Sequence, residues 1–232
     1  VMISCGSTGA VLAAAILIVG RIKGVKRPAI ASLLPAENGP VMLLDSGANT
    51  NLDENNLLQF AIMGNTYMRL CQGIENPRVS LISNGEEDEK GNELTKKTNA
   101  LLKLSDLNFV GNIEGRDILS GKADVVVCDG FTGNVIIKTL EGMALFIKKS
   151  LKDMFGKNII KKMFAVVYLN DIKIFKKKMD YREYGGSPLL GIKKPIIKCH
   201  GASDYKAIYK SIEKAMNIIN TDFEEEIERI IK

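Results

Sequence analysis

The sequence contains a single histidine, His200, in 232 residues. That rules out a metal centre built from several imidazoles and allows at most one Cys–His pair. Its four cysteines, Cys5, Cys71, Cys128 and Cys199, lie far apart and form no C-x-x-C. Neither a disulfide framework nor a zinc site is expected from them, and a reducing compartment is. Free cysteines in apolar runs read as core residues. Neither G-x-G-x-x-G nor G-x-x-x-x-G-K-[ST] occurs, so a dinucleotide and a P-loop nucleotide are both unsupported. No metal and no organic cofactor is expected. Long apolar runs are missing as well. The stretch from Ala10 to Gly20 has 11 residues, well short of the roughly 20 that span a bilayer. No basic region precedes it, as a signal peptide would require, and a buried helix is expected there. No internal repeat and no low-complexity linker is present.

What is present is ordinary for a globular chain: 46% hydrophobic and 25% charged residues. The length suits one substantial core. Four short apolar runs read as strands: Val41 to Leu44, Val79 to Ile82, Leu107 to Val110 and Ala123 to Cys128. They are continuous rather than alternating, as strands covered on both faces are. Helical stretches lie between them, from Leu57 to Cys71 and from Gly91 to Lys103. The alternation predicts an α/β fold with three αβα layers around a mainly parallel sheet. Val1-Met-Ile-Ser4 reads as the end of a buried strand, so an N-terminal segment is expected to precede it.

Each strand run is followed by a turn of small polar residues: Asp45-Ser-Gly-Ala-Asn49, Ser83-Asn-Gly-Glu-Glu87, Gly111-Asn-Ile-Glu114 and Asp129-Gly-Phe-Thr-Gly-Asn134. Ligands of open α/β sheets bind beyond the carboxyl ends of the strands, so four such turns point to a shared site. The opening Ser4-Cys-Gly-Ser-Thr-Gly9 reads either as a small-anion cradle at a helix start or as a plain strand-to-helix turn. The charged loop Gly85 to Leu94, with Lys90 after four acids, reads as solvated surface or as part of the site. Thr132 and Asn134 can cap a helix or donate to a developing oxyanion.

These residues resemble the bacterial PlsX family, phosphate acyltransferases that make acyl phosphate from acyl-acyl carrier protein and phosphate. The matching runs are Ser4-Cys-Gly-Ser-Thr-Gly-Ala10, Gly20-Arg-Ile-Lys-Gly24 with Arg27-Pro-Ala-Ile30, Leu44-Asp-Ser-Gly-Ala-Asn49 and Leu58-Gln-Phe-Ala-Ile-Met-Gly64. They continue through Lys90-Gly-Asn-Glu-Leu-Thr95, Gly111-Asn-Ile-Glu-Gly-Arg-Asp117, Asp129-Gly-Phe-Thr-Gly-Asn-Val135, Tyr184-Gly-Gly-Ser-Pro-Leu-Leu-Gly191 and His200-Gly201. Ser7 stands where the family usually has Asn, and Thr50-Asn51 where it has Val-Asp. The family begins with a further βα segment carrying a Gly-Gly-Asp loop, which this sequence lacks.

The resemblance implies a fold related to phosphotransacetylase and isopropylmalate dehydrogenase, one domain over 1–232 without that βα segment. It implies Lys90 and Asn134 as the catalytic pair, with Gly6, Ser7, Thr8, Asp45, Asn49, Asp129, Thr132 and His200 binding substrate or phosphate. It implies an acidic acyl carrier protein and inorganic phosphate as partners, a homodimer, and a cytoplasmic place in phospholipid synthesis. The competing readings are a short-chain acetyl- or butyryltransferase using a coenzyme A thioester, and an inactive module that binds membrane or carrier protein.

From Ala144 to Asp180 there are ten lysines against three aspartates. Ile147, Leu151, Met154 and Phe155 fall at helical spacing among Lys148, Lys149 and Lys152. Gly156 breaks the pattern, and Ile159, Ile160, Met163 and Phe164 begin another. This basic amphipathic helical protrusion, 144–180, reads as a surface for an anionic membrane or an acidic partner, or as a helix pair burying its own apolar face. Nucleic acid is not expected, since no aromatic-rich binding pattern accompanies the lysines.

Overall fold

A computed structural model describes residues 1–156 and 184–231. Among them an eight-stranded sheet carries helices on its faces. The strands are β1 (Met2–Ser4), β2 (Ala29–Ala36), β3 (Gly39–Leu44), β4 (Val79–Ile82), β5 (Phe109–Ile113), β6 (Val125–Val127), β7 (Ser187–Leu190) and β8 (Ile196–Lys198). The helices are α1 (Thr8–Ala14), α2 (Glu54–Gln72), α3 (Glu93–Lys103), α4 (Gly130–Gly156), α5 (Tyr205–Ile219) and α6 (Phe223–Ile230). The sheet order is β1-β8-β7-β2-β3-β6-β4-β5.

One half matches the expected parallel pattern. β3, β6, β4 and β5 run parallel, and Val125, Val126 and Val127 at the centre are fully buried. The other half is antiparallel at three pairings, β2 with β3, β2 with β7 and β7 with β8. β1 then pairs parallel to β8. Three reversals mean that β1 and β8 point opposite to β3. Their following loops therefore approach from the other end of the sheet.

Several sequence expectations need correction. The strand expected at 107–110 runs from Phe109 to Ile113, so Gly111, Asn112 and Ile113 belong to β5 and not to a turn. β2, β7 and β8 were not read from the sequence. Pro35 interrupts β2, and Pro188 and the short length disguise the other two. The apolar run from Ala10 is helical, as α1 followed by a π-helical turn over Ala15–Val19, but it is not a buried helix. Val11 and Ala15 pack with Ile30, Leu189 and Ile196, whereas Leu17 and Ile18 are each 83% exposed. Cys5 is exposed and not a core residue.

The main core lies under α2. Phe60, Met63 and Tyr67 face Leu44, Val79 and Val125, all essentially sealed from solvent. Each such side chain contributes about 1.5–3 kcal/mol relative to exposure. Both ends of α2 are fixed by its own sequence. Asp53 accepts from the Asn56 amide at 2.8 Å while the Asn56 side chain accepts from the Asp53 amide, a capping box. Gly73 closes the helix with φ +73°. α4 crosses the other face, where Ile136 and Ile137 pack on Val41, Leu43 and Val126.

Candidate active site

The loop after β3 is organised by one carboxylate. Asp45 is fully buried, and its Oδ1 accepts the amides of Ile30 (3.1 Å), Gly47 (3.0 Å) and Ala48 (3.0 Å). Its Oδ2 accepts the Asn49 amide and the Asn49 side chain, both at 2.8 Å. Burial raises the Asp45 carboxyl above its ordinary range, and these donors oppose that rise. Asn49 Nδ2 also donates to the Pro28 carbonyl at 2.8 Å. Both side chains are thus committed to shaping the loop.

Against this loop stands the start of α4, and the approach is close because its residues are small. An added Cβ on Gly130 would come within 2.5 Å of the Asn49 carbonyl, and one on Gly133 within 1.9 Å of the Asp45 carbonyl. The Gly-x-x-Gly spacing puts both glycines on the helix face that meets the loop. Asp129 is the cap: its Oδ1 accepts from the amides of Phe131 (2.9 Å) and Thr132 (3.0 Å), and its Oδ2 from the Thr132 hydroxyl (2.6 Å). Thr132 is therefore bound to Asp129, while Asn134 extends past it beside Gly47.

Asn134 lines a cavity of about 510 Å³ between β2 and α4. Its apolar lining includes Leu34, Ile137, Leu140, Met143, Ala144 and Ile147. Its polar lining includes Thr8, Ser32, Ser46, Asn134, Ser187, Lys198 and His200. Apolar walls with a few convergent polar groups are the common form of a small-ligand site. Thr8, Asn134 and His200 are the sequence-expected residues that reach it.

The others lie around it. Gly6 donates its amide to Ser4 Oγ at 3.1 Å, and Ser7 Oγ caps α1 by accepting from the Ala10 amide at 3.3 Å. His200 Nδ1 accepts from the Ala202 amide at 3.1 Å. Lys90 is exposed in the loop after β4, its amide donating to the Glu87 carbonyl at 3.1 Å, and it does not line the cavity. Since β3, β4 and β6 are parallel, that loop does leave the same sheet edge as the loops of Asp45 and Asp129.

Sequence reasoning missed the serines. Ser32 sits in the unread β2, while Ser46 and Ser187 lay inside matching runs without being singled out. Their hydroxyls are joined: Ser32 Oγ is 2.7 Å from Ser46 Oγ and 2.9 Å from Ser187 Oγ. Neither buried cysteine is suited to nucleophilic attack. Burial pushes the Cys128 thiol well up, helped by the nearby Asp45 and Asp129 carboxylates, and burial likewise raises Cys199.

A family model described as "Fatty acid synthesis protein" matches residues 1–226. The chain belongs to that family. A protein of Caldanaerobacter subterraneus subsp. tengcongensis named phosphate acyltransferase is 53% identical over 230 residues, covering 97% of this chain and 69% of that protein. Another of the same name from Thermoanaerobacterium thermosaccharolyticum is 52% identical, with 99% and 69% covered. Acyl transfer is accordingly the family's class of chemistry, and the resemblance read from the motifs holds. Among solved structures, a branched-chain phosphotransacylase from Enterococcus faecalis superposes with a TM-score of 0.59 at 15% identity, over 94% of this chain and 74% of that one. A phosphotransacetylase from Streptococcus pyogenes gives 0.55 at 17% identity, over 94% and 63%. At such identities the likeness concerns the fold, and it supports the expected relation to phosphotransacetylases.

Proposed function

We propose that the chain transfers a fatty acyl group from an acyl-carrier-protein thioester to inorganic phosphate, releasing acyl phosphate for phospholipid synthesis. The observation that carries this reading is the cavity's lining, in which many apolar side chains are joined by a few polar ones. A fatty tail suits the first, and a thioester carbonyl beside phosphate suits the second. A two-carbon acyl group would leave most of the apolar lining unused.

Phosphate is already an anionic nucleophile near neutral pH, so the reaction asks little of a general base. The demanding parts are bringing phosphate to the carbonyl and stabilising the tetrahedral oxyanion. Asn134 Nδ2 is assigned to that oxyanion, and Thr8, Lys198 and His200 to the phosphate side. Lys90 is assigned to neutralising phosphate, which its exposed side chain would do by reaching in from the loop after β4.

An acidic carrier protein fits the exposed Lys148, Lys149 and Lys152 on α4. The exposed Leu145 and Phe146 on the same helix, each 67% accessible, suit a second copy of the chain. The rest of the basic segment, including the helix expected from Ile159, lies outside the described residues. A weak hold on an anionic membrane through it is part of the proposal. Among the described residues no helix is long and apolar enough to cross a membrane. The cytoplasm, where carrier-bound acyl groups are made, is the proposed location.

The test is acyl-phosphate formation from long-chain acyl-carrier protein and phosphate, run beside acetyl-coenzyme A. Turnover of the short thioester alone would overturn the proposal.

A further inference from the structure

Three serine hydroxyls that line the cavity form a chain whose proton direction follows from its partners. Ser46 Oγ donates to the Ile30 carbonyl at 3.0 Å, which uses its only hydrogen. The 2.7 Å contact between Ser32 and Ser46 then requires Ser32 to donate, and the 2.9 Å contact between Ser187 and Ser32 requires Ser187 to donate. The order at rest is Ser187 to Ser32 to Ser46 to Ile30 carbonyl. All three side chains line the cavity, and all are partly accessible.

The far end of this chain is free to turn. The Ile30 carbonyl also accepts the Ser46 backbone amide at 2.9 Å, so it stays satisfied if the Ser46 hydroxyl swings into the cavity. At the near end, Ser187 stands opposite Lys198, and Lys198 lies opposite Ser4, after which a short turn leads to Thr8 at the start of α1. Thr8, Lys198 and His200 therefore lie toward the Ser187 end, whereas Gly47, on which an added Cβ would lie 3.6 Å from Asn134, follows Ser46 directly.

The proposed reaction has a proton to move. When hydrogen phosphate attacks the thioester carbon through an unprotonated oxygen, a C–O bond forms and the C–S bond breaks, its electron pair going to sulfur. The phosphate O–H proton is then superfluous, and the thiolate lacks one. Resting on that reading of function, the geometry points to Ser187, Ser32 and Ser46 as a proton relay from phosphate to the departing thiolate. Ser187 takes the phosphate proton and passes its own to Ser32, Ser32 passes its own to Ser46, and Ser46 turns from Ile30 and protonates sulfur. The products are acyl phosphate and a thiol, and hydroxyl rotation restores the resting order. The relay thus gives a catalytic part to residues on β2, in the loop after β3 and on β7 that share no motif.

Ser32→Ala removes the middle hydroxyl while leaving both ends in place. Its rate is compared with wild type on two esters of the same fatty acid: a pantetheine thioester, whose alkyl thiolate needs protonation, and a thiophenol ester, whose thiolate leaves without it. The expected result is a kcat loss of about a hundredfold on the pantetheine ester, the size of a general-acid contribution. That loss shrinks to within a few-fold on the thiophenol ester, with the KM for phosphate unchanged on both. Ser32→Thr, which keeps a hydroxyl, recovers most of the pantetheine-ester rate and guards against a mere folding defect. Equal losses on both esters, or no loss on either, would overturn the relay. A wild-type enzyme inactive on both esters and on acyl-carrier protein would instead indict the proposed acyl transfer, and the relay with it.

Discussion

Gly133 of α4 passes so near Asp45 that a side-chain carbon on it would lie 1.9 Å from the Asp45 carbonyl oxygen and 3.0 Å from Cys128 Sγ. The nearest neighbour is a backbone carbonyl, and the next side chain, Cys128, is buried and short, so no flexible group is there to yield. Gly133→Ala must push α4 off the loop after β3, and Asn134 moves with it. The expected outcome is at least a hundredfold loss of acyl-phosphate formation with a clear drop in melting temperature. Gly142→Ala on the same helix meets nothing within 4 Å, and should stabilise by up to about 1 kcal/mol. Thermal melts of the two variants check both signs.

Removing the amide of Asn134 tests the site itself. Asn134→Ala should lower kcat by about 10²–10³, the usual cost of one oxyanion donor, with little change in melting temperature because the side chain is exposed. Lys90→Ala should raise the KM for phosphate and weaken kcat. Wild-type rates in both would remove them from the mechanism.

Tail length offers a separate handle. Ala144 lines the cavity one turn beyond Leu140 and next to Met143. Ala144→Trp should shift preference toward shorter acyl chains, cutting kcat/KM for the longest chains about tenfold or more while sparing short ones. Competition between acyl-carrier proteins of different chain length reads this directly.

A buried lysine sets a pH dependence of stability. Lys214 Nζ donates to the Gly186 carbonyl at 2.7 Å, and burial drives its pKa down to about 8, with Cys199 pulling weakly the other way. The folded state thus disfavours the charged form relative to the unfolded chain. Its cost to stability is fully present below about pH 8 and is relieved as pH rises from there toward the ordinary lysine value of 10.5. Denaturant unfolding from pH 7 to 10 should show stability rising with pH, and Lys214→Met should flatten that slope.

The acid limb has a different source. Burial works to raise Asp124, but the Arg78 guanidinium and amide, at 2.8–3.0 Å, outweigh it and hold the carboxyl below its ordinary value. A depressed carboxyl stabilises fully above its unfolded pKa, and the contribution disappears as pH falls through the folded value. Asp124→Asn should therefore lower stability at pH 7 and lose less of it between pH 5 and 3 than wild type does.

Legibility in the sequence followed the local character of each signal. β3, β4 and β6 were readable because buried parallel strands are continuous apolar runs, and α2 because its periodicity and caps agree. β2 was not, since Ser32 and Pro35 break its apolar run and one of its two partners, β7, lies far away in sequence. The Asp129 loop could be found by its glycines, yet their purpose, close contact with Asp45, appears only in three dimensions. Ser46 and Ser187 lie inside matching runs, but nothing local ties them to each other or to Ser32. They meet because β7, 155 residues after Ser32 at Ser187, returns beside β2.

Asn134 and Ile147 are the first and last residues of α4 that line the cavity. At 1.5 Å per residue the two are separated by about 20 Å along one unbroken helix. On the proposed function the helix would serve as a measuring rod, with the zero mark at the reacting carbonyl and graduations at Ile137, Leu140, Ala144 and Ile147. A rod of that kind reads length from the carboxyl end of the acyl group. Small changes in its tilt would rescale every graduation at once, without altering the chemistry at zero.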